Sequence, residues 1–463
     1  MTPTSDDLWF LPLGGCGEIG MNFNLYGHDG KWLIVDCGLT FSDAPVAPDA
    51  PDASSPAQSG NNRNVQMADP QFIVDRAEDI VALIITHAHE DHIGAVQYLW
   101  PKLACPVFTT AFTAQILDRK LAETNFHGDV PVHIVEQSDI VQIGPFSVEW
   151  IGMAHSVPEP CSLLITTPAA RALHSGDWKL DSTPVVGKPF DQQRCEALGN
   201  EQIDAIICDS TNATVEQKTP SEAELYPGLK QIIEQASGRV VVTCFGSNLA
   251  RVATLARIAD ETDRHLGLLG RSMINMVSAG RATGLLPVDG VSVDPAHLGY
   301  LPPETVLLLA TGSQGEPKTA LNRLSQNSFR DMHLQEGDTV IFSSRVIPGN
   351  ETSVEALIAR LEQLGCHVYS ERNSELPIHA SGHPSAAELR TYYEWIKPDM
   401  LIPVHGEQQH MQANAQIAAD AGIPHQLSGE NGDLFVIAPE KSIKRSAFHA
   451  GRLALQGNKL VPV

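Results

Sequence analysis

Short apolar runs separated by Gly, Asp and Asn dominate the first 180 residues of the chain. LWFLPL, MNFNLYGH, KWLIVDCG and VALIIT have the length and boundaries of strands. Helical periodicity interrupts them over 92–103 and 111–124. Residues 42–70, rich in Pro, Asp, Ser and Asn, break the rhythm and predict a long, mobile surface loop. Strand-like runs resume at VHIVE, FSVEWIG, CSLLITT and ARALHSG.

After IDAIICDS (203–210) the pattern changes. SEAELYPGLKQIIEQA opens with Ser221 and Glu224 at capping-box spacing. RVVVTCFG, VLLLAT and TVIFSS are continuously apolar, as strands buried on both faces are. SNLARVATLARIADETD and TSVEALIARLEQLG are helical, the second with Thr352 and Glu355 at capping-box spacing. Alternating strand and helix predict a parallel sheet covered on both faces. A helix capped by Ser385 toward Glu388, the strand MLIPVHG, a further helix and the strand DLFVIAP then return to the first architecture. The expected division is 1–211 for the first part of one domain, 212–372 for an inserted α/β domain, and 373–439 for completion of the first. Residues 440–463 are expected to form a short solvated tail carrying KSIKRSAFHAGR.

Length and composition narrow the classes. The 463 residues suffice for two or three domains, and a 43% hydrophobic content supplies their cores. The formal net charge is −24, from 55 acidic side chains against 31 Lys plus Arg. A passive, high-affinity coat for nucleic acid is therefore disfavoured, but an enzyme engaging it through a local site is not. Eight scattered cysteines without a CxxC pair predict buried free thiols in a reducing compartment. The start of the chain lacks a basic segment followed by a long apolar one, and the longest apolar runs are strand-sized. A cytoplasmic chain with no membrane association is expected.

The strongest chemical signal is T86-H-A-H-E-D-H-I-G94, at a predicted strand-to-helix turn. His87 and His89, two apart at a strand end, point to one side, and Asp91 and His92 follow within the turn. Imidazole and carboxylate together suit zinc or manganese. His155 in IGMAHSVPEP, Asp177 in LHSGDWKLD and His405 in LIPVHGE also lie at the C-terminal ends of predicted strands. With the cluster at 87–92, they could complete a dinuclear centre.

These motifs resemble the metallo-β-lactamase fold, a four-layer αββα sandwich with metals at one edge. The resemblance implies that His87, His89 and His155 hold one metal ion. Asp91, His92 and His405 hold the second, Asp177 bridges them, and Asp36 in LIVDCG supports the site. A water held between two cations would then ionise near neutral pH and attack a phosphodiester, an ester or a thioester. Asp209 in CDSTN, His383 in HASGH and His405 in PVHGE, placed around an α/β insertion, resemble the three motifs of the β-CASP nucleases. In that family a histidine at the third position accompanies action on RNA. LPLGGCGEIGMN, HEDHIG, SGDWKLD, DSTNA, TCFGSNLAR, ATGSQGEP, SSRVIPGNE, HASGH and PVHGE occur in the order of its ribonuclease J branch and cover residues 11–407.

That resemblance implies a ribonuclease with two divalent ions, zinc or alternatively manganese, and with Asp91, His383 and Asp209 in the catalytic machinery. His383 is placed to protonate the leaving 3′ oxygen, and Asp209 to orient a neighbouring group. Ser247, Asn248, Ser313, Ser381 and Gly382, with His383, are expected to line a pocket for an RNA 5′-monophosphate. Arg251, Arg345 and Lys318 are candidate counter-charges. The expected substrate is single-stranded RNA, attacked from its 5′ end and also open to internal cuts. A hydrolase of DNA or of a small ester, and a silent RNA-binding scaffold, are the alternatives. Ribonuclease J chains usually continue far past the last ligand into a domain linked to assembly, whereas 58 residues follow His405 here (463 − 405). A homodimer is thus left open.

Overall fold

The computed structural model describes residues 1–42, 64–287, 293–329, 332–347 and 349–463. Two sheets face one another. The eight-stranded sheet runs in the order Ser442–Lys444, Leu434–Ala438, Leu8–Gly14, Phe23–His28, Lys31–Val35, Ile80–Ile84, Val107–Thr109, Val132–Ile134. The seven-stranded sheet runs His425–Gln426, Met400–Val404, Ala205–Asp209, Arg171–His174, Cys161–Thr166, Phe146–Gly152, Ile140–Ile143.

Successive side chains of Leu8–Gly14 serve two cores, as a two-residue period requires. Leu8 and Phe10 join Tyr26, Leu33, Trp150, Leu163 and Ile207 between the sheets. Trp9, Leu11 and Leu13 pack outward with the helices Val96–Leu103 and Ala111–Leu121. The helices Gln192–Leu198, Ala386–Ile396 and Gln408–Asp420 cover the other sheet. This is the expected αββα sandwich, and burial on both faces explains why its strands read as continuous apolar runs.

Strands Arg171–His174, Ala205–Asp209 and Met400–Val404 are mutually parallel. Phe146–Gly152 runs in the same sense, two antiparallel steps away. Their C-terminal ends therefore share one edge of the sandwich, where open α/β sheets place ligands.

The inserted domain is a five-stranded, fully parallel sheet ordered His265–Leu269, Val306–Ala310, Val240–Thr243, Thr339–Phe342, His367–Tyr369. Helices Leu249–Glu261 and Arg271–Ala282 cover one face, Ala320–Ser325 and Glu351–Gln363 the other. The expected capping boxes form at Ser221–Glu224 and Ser385–Glu388. The one expected at Thr352 does not. The helix starts at Glu351 with Asn350 as its cap, so Thr352 lies in the first turn.

The tail is not a bare solvated segment. Ser442–Lys444 extends the large sheet, and Arg452–Gln456 pairs with both Lys459–Pro462 and Asn64–Ala68. A Gly-Asn loop, with Gly457 at φ +60°, closes that hairpin, and Leu453 and Ala454 are buried. Part of the expected 42–70 loop is thus strand, since Asn64–Ala68 also pairs with Leu39–Ser42. The rest of that loop, 43–63, falls outside the described residues. All eight cysteines are buried free thiols, as expected. No helix among the described residues is long and apolar enough to cross a membrane.

Candidate metal centre and RNA site

The strand Ile80–Ile84 ends just before the histidine turn, and His89 is the N-cap residue of the short helix Glu90–Ile93. The turn is gripped from below. Asp36, at φ +66°, accepts from Thr86 N at 2.8 Å, and its other oxygen lies 2.7 Å from His92 Nδ1. Gly38 lies against the same turn, where an added Cβ would fall 1.7 Å from the Asp91 carbonyl oxygen. Asp36 thus holds one nitrogen of His92 and leaves Nε2 as the free one.

Two groups of side chains converge there. Ligand atoms of His87, His89, His155 and Asp177 lie within 4.8 Å of one another, as do those of Asp91, His92, Asp177 and His405. Asp177 belongs to both, and also to a third such group with Asp209, His383 and His405. Its Oδ2 is 3.7 Å from His87 Nε2, 3.7 Å from His155 Nε2, 3.3 Å from His92 Nε2 and 3.5 Å from His405 Nε2.

The donor set fits cations. His87 Nε2, His89 Nδ1 and His155 Nε2 crowd together, with 3.2 Å between the first two and 3.1 Å between the last two. Each ring's other nitrogen already has an outer partner. Thr86 Oγ1 is 3.0 Å from His87 Nδ1, Ser247 Oγ is 2.9 Å from His89 Nε2, and the Gly382 carbonyl is 2.6 Å from His155 Nδ1. Outer partners of this kind fix tautomers and aim the free nitrogens at a shared point.

The electrostatics divide the same way. Burial, with His92 nearby, holds His87 well below the usual imidazole range, and burial with His89 nearby does the same for His155. Burial brings His89 down to about 4. On the other side burial opposes charge on His92 and His405, but the carboxylates win. Asp177, Asp91 and Asp36 lift His92 well above its usual value, and Asp177 is the main cause lifting His405 to about 9. Asp177 stays ionised although buried, because His405, His92 and His383 outweigh the desolvation.

His383 stands beside the second group. Its Nδ1 lies 2.8 Å from Asp209 Oδ2, and its side chain is 21% exposed, where those of His87, His92, His155 and His405 are closed off. Asp209 is thus the side-chain partner of the His383 ring. Ser381 accepts from Asn212 Nδ2 at 2.7 Å and from His383 N at 3.3 Å, so its hydroxyl shapes the loop.

The expected phosphate-binding residues are only partly brought together. Ser247 and Ser313 follow the adjacent parallel strands Val240–Thr243 and Val306–Ala310, and Ser247 reaches the metal group through His89. Arg345 is exposed beyond the next strand, Thr339–Phe342. Two residues need correction. Asn248 caps the helix Leu249–Glu261, and its amide nitrogen turns to Glu222. Arg251 is fully buried and ion-paired with Glu222 at 3.1 Å. Neither side chain faces a ligand, because each is committed to partners inside the fold. Lys318, also expected as a counter-charge, borders a separate groove with Arg323 and Arg360.

Sequence reasoning missed Asn22, whose amide lies 3.0 Å from His92 Nε2 and 3.2 Å from His405 Nδ1. The only signal was its place at the end of LPLGGCGEIGMN. The sequence also gives no sign of a second part for Gly382, expected only as a lining residue of the phosphate pocket: its carbonyl backs His155. A Cβ at Gly382 would lie 2.5 Å from His155 Cε1 and 2.6 Å from Nδ1. Gly382→Ala is therefore expected to displace that ring and weaken metal affinity by about 10–100-fold. Metal titration of the variant, with circular dichroism as a folding control, checks this.

Comparison with known proteins agrees with this geometry. Family models match for the metallo-beta-lactamase superfamily over residues 19–226. They also match for the ribonuclease J beta-CASP domain over 237–361 and the Zn-dependent metallo-hydrolase RNA specificity domain over 377–428. A ribonuclease J of Sinorhizobium meliloti is 40% identical over 438 residues, covering 94% of this chain and 75% of that protein. One from Mycolicibacterium smegmatis is 37% identical over 96% of this chain and 77% of its own. A solved structure from Enterococcus faecalis V583, a protein of unknown function, superposes with a TM-score of 0.63 at 17% identity. It covers 93% of this chain and all of that one, and shows the shared fold alone. With its sandwich, its inserted parallel-sheet domain and its paired ligand groups, the chain belongs to the ribonuclease J family.

Proposed function

We propose that the chain is a metal-dependent ribonuclease that processes single-stranded RNA from a 5′-monophosphate end, with internal cuts as a second mode. The observation that carries this reading is the carboxylate of Asp177, shared by two four-residue ligand groups, with the Asp209–His383 pair beside it. The residues fit two divalent ions, zinc or manganese. His87, His89 and His155 would hold one, and Asp91, His92 and His405 the other, with Asp177 between. Such ions supply Lewis acidity at the phosphodiester and a nucleophile derived from water at neutral pH.

The chain's own residues do the rest. Asp36, Thr86, Ser247 and Gly382 hold the imidazoles in the required tautomers. Asp209 aims His383, and both Asp209 and Asp177 favour its protonated form against the cost of burial. His383 is thereby suited to deliver a proton to the departing 3′ oxygen. Ser247, Ser313 and the loop at 381–383 offer hydroxyl and N–H groups to a 5′-phosphate without adding charge. The domain division 1–211, 212–372 and 373–439, with 440–463 closing the sheets, is part of this reading.

The test is digestion of 5′-labelled RNAs ending in monophosphate or triphosphate, by wild type and by Asp91→Ala. Labelled mononucleotide, released faster from the monophosphate end and absent with the variant, is expected. RNA left intact with zinc or manganese supplied would sink the proposal. The charge of −24 adds a further expectation, that RNA engages chiefly through the local site. Gel-shift titration should show weak binding to long duplex RNA. Tight, metal-independent duplex binding would contradict it.

A further inference from the structure

Arg251 is among the largest fully buried side chains of the molecule and carries a charge. Burying an ion pair costs desolvation that its attraction seldom repays, so the pair is poorly explained as a source of stability. Its partners suggest another role, because each comes from a different segment. Nη2 donates to Glu222, just where the chain passes into the inserted domain. Nη1 donates to the Ser343 carbonyl at 2.8 Å and to the Ser343 hydroxyl, at the end of the strand Thr339–Phe342. It also reaches the Ile378 carbonyl at 3.5 Å, where the chain passes back, and Ser343 Oγ donates to that same carbonyl.

Both ends of this cluster lead to the metal centre. In one direction, Glu222 N donates to Asp181 Oδ2 at 3.2 Å, and Ser221 Oγ donates to Asp181 Oδ1 at 2.8 Å. Asp181 pairs with the buried Lys179 at 3.3 Å. Lys179, two residues after Asp177, donates its backbone N–H to Ala154, the neighbour of His155. In the other direction, Ile378 is four residues from Gly382, which backs His155, and five from His383. The ionic cluster thus joins the Asp177 loop to the His383 loop through both connections between the domains.

We propose that Arg251 is a positioning residue, which with Glu222 clasps the two interdomain connections and so sets His383 and the inserted domain against the metal centre. The inference rests on the ribonuclease reading above. A guanidinium does this where an ammonium does not, because its fork serves three acceptors in fixed directions.

The test uses the full-length, metal-loaded protein and two variants. Arg251→Lys keeps the charge but not the fork. The double variant Glu222→Met with Arg251→Met removes both charges together, so that neither ion is left buried alone, although the Asn248 amide and the Ser343 carbonyl each lose a partner. Turnover of 5′-monophosphate RNA is compared with that of bis(p-nitrophenyl) phosphate, whose leaving group needs no proton and which is too small to span the domains. Misplacement of a reacting group by about 1 Å costs up to about 100-fold. Both variants are therefore expected to lose roughly 10- to 100-fold in kcat on RNA, with metal content and aryl phosphodiester turnover within about twofold of wild type. RNA turnover equal to wild type in Arg251→Lys, or in the folded double variant, would overturn the proposal. So would a parallel fall of both activities with metal content, which would mark a general structural role. A wild type inactive on RNA but active on the aryl ester would instead overturn the ribonuclease reading.

Discussion

Asp177→Asn is expected to empty both ligand groups and to lower RNA hydrolysis by about 10³-fold or more, the scale for losing one preorganised electrostatic group. The substitution keeps the shape of the side chain and removes only its charge. That charge is what four imidazoles share, since Oδ2 stands within 3.3–3.7 Å of His87, His92, His155 and His405. Without it the two groups keep three ligands each but lose the carboxylate that joins them. The amide would also offer N–H groups to nitrogens that should bind a cation. Metal analysis and RNA digestion on the same sample check this. A variant with wild-type metal content and near-wild-type turnover would show that Asp177 does not link the groups.

His383→Ala should give a different profile. Metal content should hold, because His383 Nδ1 is engaged by Asp209 at 2.8 Å and stands farther from Asp177 Oδ2, at 3.9 Å, than the four imidazoles that ring it. Turnover on RNA should fall by about 10²–10⁴-fold, the usual contribution of a positioned general acid. Hydrolysis of an aryl phosphodiester, whose leaving group departs as a stable anion, should fall far less. Comparing the two substrates separates proton delivery from loss of the fold. Equal losses on both would argue that His383 holds the loop rather than donating a proton.

Much of the metal centre was legible in the chain because its ligands carry local signals. His87, His89, Asp91 and His92 fall within one turn, and His155, Asp177 and His405 each follow an apolar strand-like run. Parallel strands bring such ends to one edge, so the pattern of runs was enough to group them. Other features depend on partners distant in sequence. Arg251 reads as a candidate counter-charge to phosphate, since nothing local reveals that Glu222, Ser343 and Ile378 close around it. Gly382 and Asn22 act through a carbonyl and an amide whose targets lie 227 and 383 residues away. The tail read as solvated because its pairing strand, Asn64–Ala68, sits in a stretch that reads as loop.

The most direct measurement of the central claim, two ligand groups joined by one carboxylate, is metal content per chain by mass spectrometry. About two divalent ions in wild type, about one in Asp91→Ala and fewer than one in Asp177→Asn is the expected series. Wild type saturating at a single ion, or Asp91→Ala retaining both, would contradict it.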